Sequence, residues 1–127
     1  MDYTIKNLKD VEDLAASQGF GETQEARFAH GDLDAEQTGI SHQKVKPGKR
    51  HAFAHRHNKA EEVYVVIGGS GRVNLDGEVK EVSELDAIRV GPSVTRAFEA
   101  GDEGLEIIVF GPRVQGDAEI VEDFSWD

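Results

Sequence analysis

The sequence contains no cysteine, and its 127 residues include only one tryptophan, two tyrosines and three prolines. Without cysteine, the chain can form neither a disulfide framework nor a thiolate metal site. Basic residues are also scarce, because 14 Lys and Arg stand against 25 Asp and Glu, which gives a formal net charge of −11. This charge argues against nucleic acid or an anionic membrane surface as a main partner.

Long apolar runs are absent as well. No run approaches the roughly 18 apolar residues that a membrane-spanning helix needs. The N-terminal residues, MDYTIKNLKDVEDL, lack the apolar core of a secretion signal. We therefore expect a cytoplasmic protein, and the length predicts a single domain with one modest core.

Turn signals are frequent, whereas segments with a helical period are few. The chain has 14 glycines, and Asp76-Gly77 separates two alternating runs, which predicts a β-hairpin. These features favour an all-β fold.

The stretch from Pro47 to Gly71 holds three of the five histidines, the longest apolar run and a glycine-rich end. His55 and His57 are two residues apart, so on a strand their side chains share one face and can chelate one ion. Glu62 opens the second predicted strand, and a turn over residues 58–61 brings Glu62 or Glu61 to face the imidazoles. Two imidazoles and one carboxylate suit divalent iron and, with small changes, manganese, nickel, zinc or copper.

The spacing of His55, His57, Glu62 and Gly69 resembles the first sequence motif of the cupin family, although Gly48 lies one residue too early for that motif. The resemblance implies a double-stranded β-helix, the cupin or jelly-roll barrel, with a metal ion in its mouth. It also favours Glu62 over Glu61 as the third ligand. We expect an N-terminal arm over residues 1–24, the barrel over 25–111, and a tail over 112–127 that packs on the barrel.

The second cupin motif, which supplies a fourth histidine ligand, is degenerate here. The segment 86–99 matches that motif only in its order of strand, Gly-Pro turn and strand, and the alignment puts Arg96 at the position of that histidine. A guanidinium group has no acceptor atom and cannot ligate a cation. Arg96 shares strand parity with the apolar residues Val94 and Phe98, which predicts that it points inward.

Three arrangements of Arg96 are open. In the first, His55, His57 and Glu62 hold a metal, and Arg96 binds the carboxylate of an acidic ligand. In the second, Arg96 pairs with Glu62 and abolishes metal binding. In the third, Arg96 turns outward to a surface acid such as Glu99.

Two further residues are candidates for the pocket. His51 has the strand parity of His55 but lies too far along an unbroken strand to share its ion, so we expect it to line the pocket or to pack. Tyr64 and His51 are candidates for ligand contact and, in an enzyme, for proton transfer. Core packing is the simpler interpretation of Tyr64.

These patterns lead to a cupin barrel that binds a divalent metal (Fe, Mn, Ni or Zn) and a small molecule, which is anionic if Arg96 contacts it. Whether it is an enzyme, of dioxygenase or isomerase type, stays open. The alternative is a metal-free ligand-binding or structural barrel in which Arg96 pairs with Glu62. Val63, Val65 and Ile67 face away from Glu62 and need a cover, either the N-terminal arm or another subunit, and together with the outer face of the last strand they favour a homodimer.

Overall fold

A computed structural model describes residues 2–126 of the chain. The strands confirm the predicted all-β fold, and within these residues no helix has the length and apolar content needed to cross a membrane. The elements are a short 3₁₀ helix (Leu8–Asp10), α1 (Leu14–Ser17), β1 (Gln24–Phe28), β2 (Thr38–Val45), β3 (Ala54–His57), β4 (Glu62–Leu75), β5 (Glu78–Ser83), β6 (Ala87–Val90), β7 (Arg96–Pro112) and β8 (Ala118–Val121).

All eight strands belong to one curled antiparallel sheet. The order β1-β2-β7-β3-β8 forms one path, and β4 pairs with β5, β6 and β7. The two longest strands, β4 and β7, face each other over most of their length. Their inward side chains, which include Tyr64, Val66, Phe98 and Ile107, are almost fully buried and form the centre of the core.

The long strands differ from the sequence expectation. The apolar run after Glu62 does not end at its glycines, because β4 continues through them to Leu75 with two shifts of register. Gly69 has φ +72, and a Cβ there would lie 2.0 Å from the carbonyl oxygen of Gly104, so the close approach of β4 to β7 requires glycine. The hairpin at Asp76 and Gly77 is confirmed, with φ of 54° and 92°.

The N-terminal arm packs against β1. Asp13 caps α1 by accepting hydrogen bonds from the backbone N–H groups of Ala15 and Ala16, and it also accepts one from Ala26 in β1. Val11 and Ala15 are buried at this contact. One aspartate therefore both starts the helix and fixes it to the sheet.

The C-terminal tail adds β8 to the edge of β3. Beyond β8, the Trp126 ring lies 4.9 Å from the Cζ of Arg50 and 5.8 Å from the Cζ of Arg72. Both arginines also contact the carboxylate of Glu99. These cation–π contacts hold the end of the tail against the barrel.

The outer face of β4 and β7 is apolar. Val63 lies opposite Phe110 and Val65 opposite Ile108, and the side chains of Ile67 and Phe110 each remain 40% exposed. An exposed apolar face of this kind is typical of a surface that another chain covers. The homodimer stays a prediction.

Candidate metal and ligand site

His55 and His57 lie on β3, which is only four residues long. The chain over residues 51–53 is not strand, so the unbroken strand from His51 to His57 that the parity argument assumed is wrong. Within β3 the two-residue spacing still places both imidazoles on one face, with ring centroids 5.2 Å apart. The turn over residues 58–61 then leads directly into Glu62, the first residue of β4.

The three residues predicted to form the metal site come together. Oε1 of Glu62 lies 3.1 Å from Nε2 of His57 and 3.5 Å from Nε2 of His55. One ligand atom from each residue lies within 4.8 Å of the others. Glu61 instead lies at the surface, where it pairs with Arg89 at 3.1 Å. The structure thus brings Glu62, and not Glu61, to the imidazoles.

The spacing and chemistry of this cluster fit a divalent metal. Imidazole nitrogens and carboxylate oxygens bind zinc at about 2.0–2.2 Å, which places neighbouring ligand atoms about 3 Å apart. The two contacts to Oε1 of Glu62 are close to that separation. Imidazole and carboxylate together also accommodate iron, manganese and nickel. Oε1 of Glu62 therefore lies near a ligand-to-ligand distance from both imidazole nitrogens.

Asp117 is a site residue that the sequence did not reveal. Its Oδ2 lies 3.2 Å from Nδ1 of His57, and its two oxygens accept hydrogen bonds from the backbone N–H groups of Lys59 and Ala60, at 2.9 Å each. Desolvation opposes ionisation, but the two backbone hydrogen bonds outweigh it, and the pKa of Asp117 is lowered. Asp117 therefore fixes both the His57 ring and the turn that leads to Glu62.

This contact determines which nitrogen of His57 faces the cluster. An ionised carboxylate can only accept, so Nδ1 of His57 donates to Asp117 and Nε2 is directed to Glu62. The hydrogen bond to Glu62 raises the pKa of His57, although desolvation opposes it. Nε2 of His57 and Oε1 of Glu62 both carry lone pairs, so a cation must lie between them. That cation is either a proton or a metal ion.

Arg96 is buried beside Glu62. Its side chain is 1% exposed, and its Nη2 donates to Oε1 of Glu62 at 3.0 Å. Its Nε donates to the Tyr64 hydroxyl at 3.1 Å, and its Nη1 donates to the carbonyl oxygens of Pro92 and Val94. The predicted inward orientation is confirmed. The outward arrangement toward Glu99 is wrong, because the guanidinium group is buried and bonds Glu62, Tyr64 and two backbone carbonyls, while Glu99 pairs with Arg50 and Arg72.

Arg96 and the two histidines share one region of the sheet, since His55 in β3 lies opposite Arg96 in β7. Of the three arrangements, the structure has the contact between Arg96 and Glu62. Arg96 does not line the cavity described below, and four of its five N–H groups are directed at protein acceptors. Its predicted role as the carboxylate anchor for a ligand therefore lacks an exposed guanidinium face.

The electrostatics of Glu62 follow from these neighbours. Burial alone would raise the pKa of Glu62, but hydrogen bonds from His55 and His57 and their positive charges outweigh it, and the pKa lies well below its usual range. The Tyr64 hydroxyl donates to the same carboxylate at 2.9 Å. Burial raises the pKa of Tyr64, so Tyr64 is a permanent hydrogen-bond donor at neutral pH. As a proton-transfer base it is disfavoured.

His51 is neutral. The backbone N–H of Phe98 donates to its Nδ1 at 3.1 Å, which leaves the imidazole hydrogen on Nε2. Desolvation, and secondarily the charge of nearby His55, lowers the pKa of His51 to about 4. His51 can therefore donate one hydrogen bond but does not serve as a cation near neutral pH.

A cavity of about 330 Å³ adjoins the cluster. His51, His55, His57, Glu62 and Tyr64 all contribute to its wall. Much of the remaining wall is apolar and comes from the arm, the segment before β3, β7 and β8: Leu14, Ala15, Phe20, Phe53, Val109 and Ile120. Two predicted ligand-contact residues, His51 and Tyr64, thus reach the cavity, whereas Arg96 lies behind them.

Comparison with known proteins agrees with this geometry. The family model described as "Cupin domain" matches residues 41–111. An uncharacterised protein of Methanocaldococcus jannaschii is 31% identical over 81 residues, which are 61% of this chain and 65% of that protein. The match therefore spans slightly less than two thirds of that relative's length.

Solved structures share the fold. A polyketide cyclase, RemF from Streptomyces resistomycificus, superposes with a TM-score of 0.74 at 18% identity, covering 94% of this chain and 85% of that one. A sugar phosphate isomerase of the cupin superfamily from Silicibacter pomeroyi superposes with a TM-score of 0.71 at 18% identity, covering 94% and 82%. At this identity the likeness concerns the fold alone, and it confirms the predicted barrel.

The contact between Arg96 and Glu62 predicts a strong energetic coupling. We expect Arg96→Met to lower the free energy of unfolding by about 3–5 kcal/mol, because the half-buried carboxylate of Glu62 loses a partner whose positive charge does not depend on pH. Adding Glu62→Gln to the Arg96→Met variant should restore part of the lost free energy of unfolding. Urea unfolding of chelator-treated protein measures both effects.

Arg72→Met is the matched control for this measurement, since Arg72 pairs with Glu99 at the surface. Its side chain is 42% exposed, so its loss should cost at most about 1 kcal/mol. Equal losses for the two arginine variants, or additive losses in the Arg96 and Glu62 double variant, would contradict the coupling.

The lowered pKa of His51 predicts that its contribution to stability depends on pH. The ordinary value of 6.5 applies in the unfolded chain, and burial lowers the pKa to about 4 in the folded one. Between these values the unfolded state binds more protons, so stability is full above pH 6.5 and falls as the pH drops. The loss due to His51 is about 3 kcal/mol by pH 4.

The measurement is the difference in unfolding free energy between pH 7 and pH 4.5 for the wild type and for His51→Asn. The asparagine oxygen can still accept from the N–H of Phe98 but does not titrate. His30→Asn, in the loop after β1, is the control. A wild-type pH dependence that His51→Asn leaves unchanged would refute this assignment.

Proposed function

Because the chain belongs to the cupin family, we propose that it binds one divalent metal ion through His55, His57 and Glu62, and a small molecule in the adjoining cavity. The observation that carries this proposal is the convergence of three ligand atoms within 4.8 Å of one another at the cavity wall. Iron, manganese, nickel and zinc all suit this donor set.

The number of protein ligands supports a role in binding or chemistry over a purely structural one. Three ligands leave coordination positions for water or a ligand, whereas structural metal sites are closed by four. Arg96 takes the position at which the family pattern supplies a fourth ligand, and it cannot coordinate. A divalent metal in such a site would act as a Lewis acid on a ligand oxygen.

Neighbouring residues fix the orientation of His57 and the ionised form of Glu62. Asp117 orients the His57 ring, while Tyr64 and Arg96 donate hydrogen bonds to Glu62 and keep it ionised. Neutral His51 offers an N–H to a ligand. With His55, His57 and Glu62 engaged by the metal, the other cavity residues that the structure describes include no ionised base. This favours binding and polarising a ligand oxygen over proton abstraction by a separate base.

A metal-free binding barrel is the second candidate, and one observation favours it. Nη2 of Arg96 lies 3.0 Å from Oε1 of Glu62, so Arg96 already supplies a positive charge to the carboxylate. A second cation beside the same oxygen is repelled by Arg96. In this candidate His55 and His57 share protons with Glu62, and the residues of the cavity wall bind the ligand without a metal ion.

Metal analysis distinguishes these candidates. We expect untagged protein, purified without chelator and reconstituted with divalent iron, manganese, nickel or zinc, to retain about one equivalent of one of these metals. The double variant His55→Ala/His57→Ala should retain none, because two of three ligands are lost. Inductively coupled plasma mass spectrometry provides the measurement.

The matched control is His30→Ala/His42→Ala, which removes the same number of histidines outside the cluster. His42 lies on β2 and bonds Glu106, away from the cavity. Equal metal content in both double variants would argue for adventitious binding. Absence of metal in the wild type after reconstitution would favour the metal-free candidate.

Asp117 provides a further prediction for the metal site. Asp117→Asn should weaken metal affinity by about tenfold or more, because residues that orient a metal-bound histidine commonly contribute that much. Competition with a fluorescent chelator gives the dissociation constant, and ¹⁵N chemical shifts of the His57 ring in metal-free protein report which nitrogen carries the proton.

Glu119→Gln serves as the control on the same tail segment, since Glu119 pairs with Arg56 at the surface. Unchanged metal affinity and an unchanged His57 ring spectrum in Asp117→Asn would show that Asp117 only supports the backbone turn.

A further inference from the structure

We propose that the cavity takes a small aromatic molecule of one or two fused rings that carries a phenol or enol oxygen, and that the N-terminal arm and C-terminal tail select it. The proposal rests on the proposed function for the binding of the oxygen at the His and Glu cluster. The aromatic wall, the missing cationic side chains, the adjoining cluster and the size of the cavity carry it.

The apolar wall is rich in aromatic rings. Phe20 and Phe53 meet edge to face, with ring centroids 5.4 Å apart and an interplanar angle of 66°, and Phe28 also lines the cavity. Leu14 and Ile120 extend this surface. Aromatic side chains favour offset or edge-to-face contact with another ring and gain from the burial of apolar area. A flat, apolar body therefore fits this wall.

Cationic side chains are missing from the described cavity wall. None of the lining residues is Lys or Arg. The nearest buried guanidinium belongs to Arg96, whose donors are directed to Glu62, Tyr64 and two backbone carbonyls. A phosphate group carries nearly two negative charges and is commonly held by Arg, Lys or a helix N-terminus. Apart from a metal ion at the cluster, the described wall thus offers a phosphate group no cationic side chain.

The neutral polar side chains of the wall are only partly engaged with the protein. Oε1 of Gln24 accepts from the backbone N–H of Ala52, and Nε2 of Gln43 donates to the hydroxyl of Ser41. Among the described residues nothing bonds Nε2 of Gln24 or Oε1 of Gln43, so a ligand can meet a few neutral polar groups there. A phenol or enol oxygen finds Nε2–H of His51 and the candidate metal cluster side by side in the same cavity.

The residues that distinguish this cavity lie largely outside the part of the chain that the family model covers. That match spans residues 41–111. Leu14, Phe20 and Phe28 precede it, and Ile120 follows it. The matched region thus supplies the cluster together with Phe53 and Val109, and the segments outside it supply much of the remaining apolar wall. With a volume of about 330 Å³, the cavity is at the lower end of the range for ligand sites and suits one or two rings.

The test is isothermal titration calorimetry with 2-naphthol, on both the metal-reconstituted and the chelator-treated protein, with glucose 6-phosphate as the comparison probe. We expect 2-naphthol to bind at least tenfold more tightly than glucose 6-phosphate, and to bind more tightly when metal is present. Equal or tighter binding of glucose 6-phosphate would overturn the proposal.

Two matched substitutions locate the binding. Phe20→Ala should weaken 2-naphthol binding about fivefold or more, because one face of the aromatic wall is lost. Phe110→Ala removes the same ring from the outer face of the barrel and should leave the affinity unchanged. Equal effects of the two substitutions would refute the assignment of the wall.

The outcomes separate this proposal from the metal proposal. Protein that retains metal but does not bind 2-naphthol overturns the ligand class and leaves the metal site intact. Protein that binds 2-naphthol through Phe20 but retains no metal supports the ligand class and overturns the metal site.

Discussion

The arrangement of the polar side chains in the barrel mouth depends on the carboxylate of Glu62. Its Oε1 lies within 3.5 Å of donors or ligand atoms from His55, His57, Tyr64 and Arg96. A half-buried negative charge is costly without such partners. Because these residues come from β3, β4 and β7, satisfying one carboxylate ties three strands together. The structural requirement and the metal-binding arrangement therefore involve the same atoms.

Arg96 changes the chemistry that this arrangement supports. A histidine at its position would add a ligand, whereas a guanidinium adds a fixed positive charge and no acceptor. Its bonds to the carbonyl oxygens of Pro92 and Val94 also hold the loop that precedes β7. Arg96 thus stabilises the ionised form of Glu62 and the local backbone together, and it limits any metal to three protein ligands.

The segments that flank the barrel complete the site. The arm contributes apolar wall to the cavity, and the tail contributes both wall and Asp117. Contacts on both sides hold these segments. Asp13 links α1 to β1, β8 pairs with β3, and the Trp126 ring lies near the guanidinium groups of Arg50 and Arg72. A common barrel can in this way acquire an individual cavity without change to the strands that carry the cluster.

The sequence by itself determined the features that depend on short-range spacing. The two-residue interval between His55 and His57 and the turn before Glu62 require only strand periodicity, so the cluster and the fold could be predicted. Asp76-Gly77 specified its hairpin for the same reason. Tertiary structure decided which partner Arg96 takes, because parity shows that a side chain points inward but not which buried acceptor it meets.

Asp117 and the cavity wall were also decided only in three dimensions. Asp117 lies 60 residues from His57 and follows a glycine in an acidic tail, so nothing local distinguishes it from the exposed acids around it. The pairing of β8 with β3 creates the contact. Such long-range pairing depends on the global packing of the sheet, which no local pattern in the chain encodes.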